Sequence, residues 1–136
     1  MIEILKVAAK GQGLIEVTDA IRAVLQPVDI TAGLCTIFIQ HTSASLLIQE
    51  NADPSARRDL ENWLNRLVPE NDLLYTHTME GADDMPAHIK SMLTQSSLSV
   101  PIIDGTLALG TWQGIFLWEH RHGDHKRKII VHLQTS

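Results

Sequence analysis

Two helix-opening signals lie in the middle of this chain with short strand-like runs on either side, and that order limits the fold more than any other feature of the sequence. The first is Asp53-Pro54. An aspartate can accept from the free N–H groups of a first helical turn, and proline fits there because its missing N–H would have no partner anyway. Leu60, Trp63, Leu64 and Leu67 follow at helical spacing as one apolar face, and Pro69 ends the run. The second helix is expected from about Asp84, with Pro86 in its first turn and Ile89, Met92 and Leu93 as the buried stripe. Residues 2–8 and 14–18 read as strands joined in a hairpin through Gly11-Gln12-Gly13, after which Thr18 or Asp19 caps a short helix to about Leu25. Residues 34–41 read as a central strand, and residues 98–103, 106–109, 112–121 and 127–134 as further strands. Strands grouped at both ends around two main helices favour an α+β fold with largely antiparallel sheets over a doubly wound parallel one. A chain of 136 residues encloses one core, so residues 1–136 are expected to form a single domain.

The formal net charge of −5 argues against nonspecific nucleic-acid binding, which needs a basic face. The one dense basic run, Lys126-Arg127-Lys128, reads either as a solvated strand edge or as a phosphate clamp. The single cysteine, Cys35, lies in an apolar alternating segment and has no disulfide partner. Charges at Glu3 and Lys6 interrupt the start too early for a signal peptide, and no run approaches 18 apolar residues. No membrane association is expected, and the cytoplasm is the default location.

The chemistry-bearing residues fall into three groups. The densest is His77-Thr78-Met79-Glu80-Gly81-Ala82-Asp83-Asp84-Met85-Pro86-Ala87-His88, two imidazoles and three carboxylates at a helix N-terminus. Carboxylate and imidazole can hold a cation there while helix N–H groups meet an anion, so His77, Asp84 and His88 are candidate metal ligands. The bland alternative is that Asp83 or Asp84 caps the helix and the histidines are merely exposed. No HExxH or paired CxxC pattern is present. The second group is His41-Thr42-Ser43-Ala44-Ser45, followed by Glu50-Asn51-Ala52-Asp53, where imidazole and carboxylate suit proton transfer and hydroxyls can orient an acceptor. No GxSxG elbow supports a serine nucleophile. The third runs from Gly110 to Arg121 and on to Arg127. Alternation places Glu119 on a face with Ile115 and Leu117, so it must be paired, ligand-bound or at a wet sheet end. Trp112 and Trp118 read as core or as stacking surfaces.

QHTSASLLIQENADP, EGADDMPAHIKSML, SLSVPIIDG and LGTWQGIFLWEHR, in this order and spread over nearly the whole chain, resemble the YjbQ family of small bacterial and archaeal proteins. That resemblance implies an α+β homotrimer with a site at or near a subunit boundary. It also implies a secondary thiamine-phosphate synthase activity, joining hydroxymethylpyrimidine diphosphate to thiazole phosphate with release of pyrophosphate. Carried over by position, His41, Glu50 and Asp53 match the first motif, His77, Asp83, Asp84 and His88 the second, and Glu119, His120 and Arg121 the last. The last motif here continues as EHRHGDHKRK where many members have an EFDGPR-like ending, so the roles of His120, His122 and His125 stay open.

The reading that joins these signals is a metal-assisted transferase acting on a small phosphorylated substrate. A divalent ion, zinc or magnesium first, is expected on His77, Asp84 and His88. His41, Glu119 and Arg121 are the expected catalytic groups, with Ser43, Glu50, Asp53, Asp83 and Arg127 binding substrate. A non-enzymatic trimeric binding protein and a metal-dependent phosphate-ester hydrolase are the alternatives.

Overall fold

The computed structural model describes residues 1–136. Its elements are β1 (Ile2–Lys10), β2 (Gly13–Glu16), α1 (Thr18–Leu25), β3 (Gly33–Ile39), β4 (Ala44–Glu50), α2 (Pro54–Leu67), α3 (Asp84–Leu93), β5 (Ser97–Ile103), β6 (Thr106–Leu107), β7 (Gln113–Glu119) and β8 (Asp124–Thr135). They build a five-stranded sheet in the order β1-β8-β3-β5-β6 and a three-stranded sheet in the order β2-β7-β4, with every pairing antiparallel. The fold is α+β, as expected.

Three local expectations are corrected. β1 and β2 form no hairpin: β1 pairs with β8 and β2 with β7, because Gly11 and Gly13, both at positive φ, carry the chain from one sheet to the other. Neither Thr18 nor Asp19 caps α1; the Thr18 hydroxyl instead donates to Glu16 and accepts from the Ile115 N–H at 2.8 Å. The segment after His41 contains a strand, β4, whose Leu46 is fully buried against the larger sheet.

Asp53 does cap α2, accepting from the Ser55 N–H at 2.9 Å, and Pro54 opens the helix. Of the expected stripe, however, only Leu64 is buried, while Trp63 and Leu67 are more than half exposed. In α3 the inward residues are Asp84, Pro86, Ala87 and Lys90, and Met92 and Leu93 face outward.

The main core lies between the two sheets and α1, where Ile21, Ile37, Leu46, Ile115, Leu117, Ile129 and Val131 are fully enclosed. A smaller core, Leu14, Leu64, Val68, Phe116 and Trp118, fills the space between the other face of the small sheet and α2. β7 is thus covered on both faces, so whatever ends that strand is buried as well: Ile115, Leu117 and Glu119 point one way, Phe116, Trp118 and His120 the other.

Candidate metal centre

The chain crosses between the sheets three times near one end of the sandwich, at residues 11–12 between β1 and β2, at residues 40–43 between β3 and β4 and at residues 120–123 between β7 and β8. The N-terminus of α3 is seated between the last two crossings. Asp84 is almost completely buried there. Its Oδ2 lies 2.7 Å from His77 Nε2 and 3.1 Å from His88 Nε2, and one donor atom from each of the three residues falls within 4.8 Å of the others. His88 Nδ1 lies 2.9 Å from the Thr42 carbonyl, which can only accept, so Nδ1 carries a proton. The neutral ring then presents a bare Nε2 lone pair to a carboxylate oxygen, an arrangement that requires a positive charge between them, either a proton or a cation.

A histidine whose far nitrogen donates to a backbone carbonyl is the usual support for a metal ligand. The carboxylates are also not helix caps, since neither Asp83 nor Asp84 accepts from the first-turn N–H groups. Asp83 instead takes the Arg121 guanidinium at 3.3 Å and the His122 N–H at 2.9 Å, while Arg121 reaches Asp84 Oδ1 at 3.5 Å and donates to the Glu80 carbonyl at 2.8 Å. Burial works to raise the Asp84 carboxyl, but the His77 hydrogen bond and the His88 and Arg121 charges outweigh it and hold the group below its ordinary range. Asp83 is lowered too, its burial overcome by the bonds from Arg121 and the His122 N–H. Gly81, at φ 107°, makes the turn that brings Asp83 to Arg121; a Cβ there would stand 3.1 Å from Asp83 Oδ1.

The other expected residues divide. Arg127 and Glu119 form a buried ion pair, with Nε donating to Oε1 at 2.7 Å and Nη2 donating to Oε2 at 2.5 Å. Glu119 also accepts from the Arg121 N–H at 3.1 Å, so this pair ties the last motif to the metal corner. Fully enclosed and held by Arg127 and the Arg121 N–H, Glu119 is an anchor between β7 and β8. Arg127 is expected both as a phosphate clamp and as a substrate ligand; the structure places its Nε and Nη2 on Glu119. His41 Nε2 accepts from the Lys128 N–H at 2.8 Å, leaving Nδ1 as the protonated nitrogen, 3.5 Å from Arg127. Burial, then the Arg127 charge, lowers its pKa. His41 and Ser43 line a separate shallow cavity of about 430 Å3 with Phe38 and Ser96. Glu50 and Asp53 are not brought to the cluster: Glu50 ends β4, about 20 Å along that seven-residue strand from Ala44, and Asp53 is the α2 cap. His122 pairs with Glu70 at 2.7 Å and His125 meets the His122 carbonyl at 3.0 Å. Trp118 is core, whereas Trp112 is largely exposed.

The sequence reading missed Thr42 as a partner of His88, and no side-chain signal could have revealed it because the contact is through the backbone. It also missed Lys90, buried two residues beyond His88.

The profile of the family described as UPF0047 protein YjbQ-like matches residues 3–136. The chain belongs to this family. Among YjbQ-like relatives, a UPF0047 protein of Synechocystis is 53% identical over 131 residues, covering 96% of this chain and 89% of the relative. The YjbQ protein of Escherichia coli O157:H7 is 47% identical over 131 residues, covering 96% and 94%. A conserved hypothetical protein of Thermus thermophilus has a crystal structure that aligns with a TM-score of 0.86 at 33% identity, over 97% of this chain and 99% of that one. The YjbQ/UPF0047 structure from Clostridium acetobutylicum aligns equally well, at 0.86 and 33%, over 98% and 99%. No helix of this YjbQ-like chain is long and apolar enough to cross a membrane.

Proposed function

We propose that this protein is a divalent-metal-assisted transferase acting on a diphosphate ester, with thiamine phosphate formation as the specific reaction. The observation that carries the reading is the convergence of His77 Nε2, His88 Nε2 and Asp84 Oδ2, with His88 Nδ1 engaged by the Thr42 carbonyl. Imidazole nitrogen and carboxylate oxygen suit zinc, and three protein ligands leave a position for substrate. A cation held there supplies positive charge to a departing diphosphate. In the overall reaction the thiazole nitrogen forms a bond to the pyrimidine methylene carbon, and the carbon–oxygen bond to diphosphate breaks with its electron pair leaving on pyrophosphate. Arg121 holds Asp84 in place and brings a positive charge beside the three proposed ligands, whereas Arg127 is paired with Glu119. His41 contributes an Nδ1–H that can orient a heterocycle nitrogen. A homotrimer is part of the same proposal, supported by the apolar outer face of the large sheet, where Ile4, Ile130 and Phe38 are cross-strand neighbours and Ile4 and Phe38 are exposed.

Metal-reconstituted protein is expected to make thiamine phosphate from the two precursors. Absence of product with every divalent metal tried, or undiminished product formation by His88→Ala, would sink the reading. The alternative of a binding protein without turnover is favoured by one feature: Glu119, the carboxylate of the last motif, is paired and buried, so it offers no free proton-transfer group. A rise in Tm with the phosphorylated precursors, without product, would select that alternative. Phosphate release from simple esters would select a hydrolase.

A further inference from the structure

On the opposite side of α3 from Asp84 and His88, between that helix, α2 and the end of β7, lies a polar cavity of about 220 Å3. Its walls include Gln12, Glu61, Asn65, Lys90, Glu119 and His120, the two carboxylates being held by the Leu14 N–H and by Arg127. We propose that it binds a phosphate group that retains one proton, as inorganic phosphate or as a phosphate monoester, with Lys90 neutralising the charge and His120 accepting the remaining proton's hydrogen bond.

Lys90 is 3% exposed, and its Nζ has a single hydrogen-bond acceptor, Asn65 Oδ1 at 2.5 Å. It takes part in none of the ion pairs of the protein. An ammonium carries three donors, and one withdrawn from water without a contacting counter-charge is destabilised. Burial works against the Lys90 charge, and Glu70 and Asp83 favour it from a distance without pairing with it, so two of its donors remain for an anion in the cavity. Glu119 cannot serve, being held by Arg127, and Glu61 Oε2 accepts from the Leu14 N–H at 2.8 Å.

His120 is 1% exposed and its Nδ1 has no partner. The protonation of that nitrogen follows from a chain of three contacts. Thr94 Oγ1 lies 2.8 Å from the Lys90 carbonyl and 2.6 Å from Ser45 Oγ, which lies 2.8 Å from His120 Nε2. The carbonyl can only accept, so the Thr94 proton goes to it. Ser45 must then donate to Thr94, and His120 Nε2–H to Ser45; any other assignment leaves one contact without a proton. The neutral ring thus shows a bare lone pair at Nδ1. Burial and the nearby Lys90 charge push the imidazole down to about 3, so it stays an acceptor at neutral pH.

A cation with no anion in contact, in the same cavity as an acceptor without a donor, matches hydrogen phosphate, whose oxygens accept from Lys90 and whose P–OH donates to Nδ1. Sulfate and carboxylates carry no such proton at neutral pH and would set lone pair against lone pair. An adjoining cavity of about 330 Å3 shares Gln12, Asn65 and Lys90 and gives room for the organic part of a monoester.

Inorganic phosphate, methyl phosphate and sulfate should be titrated calorimetrically at pH 7 into the full chain stripped with chelator, which separates this site from the metal corner. One phosphate or methyl phosphate per chain is expected, with sulfate weaker by about tenfold or more, as for loss of a charge-assisted hydrogen bond. The tighter of the two phosphates identifies the free ion or the ester as the natural form. Lys90→Gln should weaken binding by a similar factor and His88→Ala should leave it unchanged. Equal binding of sulfate by the unmodified protein, no binding of either phosphate, or full affinity in a folded Lys90→Gln variant would overturn the proposal.

Discussion

A single carboxylate oxygen organises the metal corner. Asp84 Oδ2 is approached by two imidazoles while Oδ1 is held by Arg121, so the guanidinium sets the orientation of the carboxylate proposed as a metal ligand. Arg121→Gln is therefore expected to lower zinc affinity by about 10–100-fold, the usual effect of losing an outer-shell partner, as read in a chelator competition. His120 supplies a second residue-level expectation. Its folded pKa of about 3 lies below the ordinary 6.5, so between these values the unfolded chain binds a proton that the folded chain does not. Its contribution to stability is complete above pH 6.5 and is lost as pH falls towards 3. Urea unfolding at several pH values from 4 to 6 should show a slope for His120→Asn that is flatter than that of the unmodified protein by about 1.4 kcal/mol per pH unit. Identical slopes would contradict the burial argument.

Elements meet this site at their ends, which is where the sequence was hardest to read. β7 was legible as a strand from its alternation, and the same alternation required Glu119 to be paired. Arg127 as the partner was not legible, because β7 and β8 follow one another in the chain but belong to different sheets. Their ion pair joins the two sheets. Removing one partner strands the other as a buried charge, so Glu119→Ala should cost about 3–5 kcal/mol in denaturant unfolding, while Glu119→Met with Arg127→Met should recover most of that loss. If the double variant is as unstable as the single one, the pair is not the source of the cost. β4 was not legible because its apolar run, Leu46-Leu47-Ile48, is only three residues long and does not alternate, and polar residues flank it on both sides. In α3, the apolar residues Met92 and Leu93 were assigned inward by hydropathy alone. The helix instead turns Asp84 and Lys90 inward, since each meets polar partners supplied by other elements.

For the whole molecule, the two sheets and α1 account for the enclosed core, yet the outer face of the large sheet leaves Ile2, Ile4 and Phe38 uncovered. If this face is the homotrimer contact, Phe38→Lys should reduce the mass seen by sedimentation equilibrium to that of one chain, with secondary structure retained by circular dichroism. A trimer persisting unchanged would place the contact elsewhere. By itself, the sequence determined the fold class, the start of α2 through the Asp53 cap and the neighbourhood of His77 to His88, because these follow from local hydrogen-bonding capacity and from apolar periodicity. Only the tertiary structure decided which sheet each strand joins, that Thr42 supports His88 through its carbonyl, that Arg127 belongs to Glu119, and that Lys90 and His120 share a cavity. Each of those depends on which distant segment fills the space beside a polar atom, and the free energy of that choice resides in contacts between residues far apart in the chain.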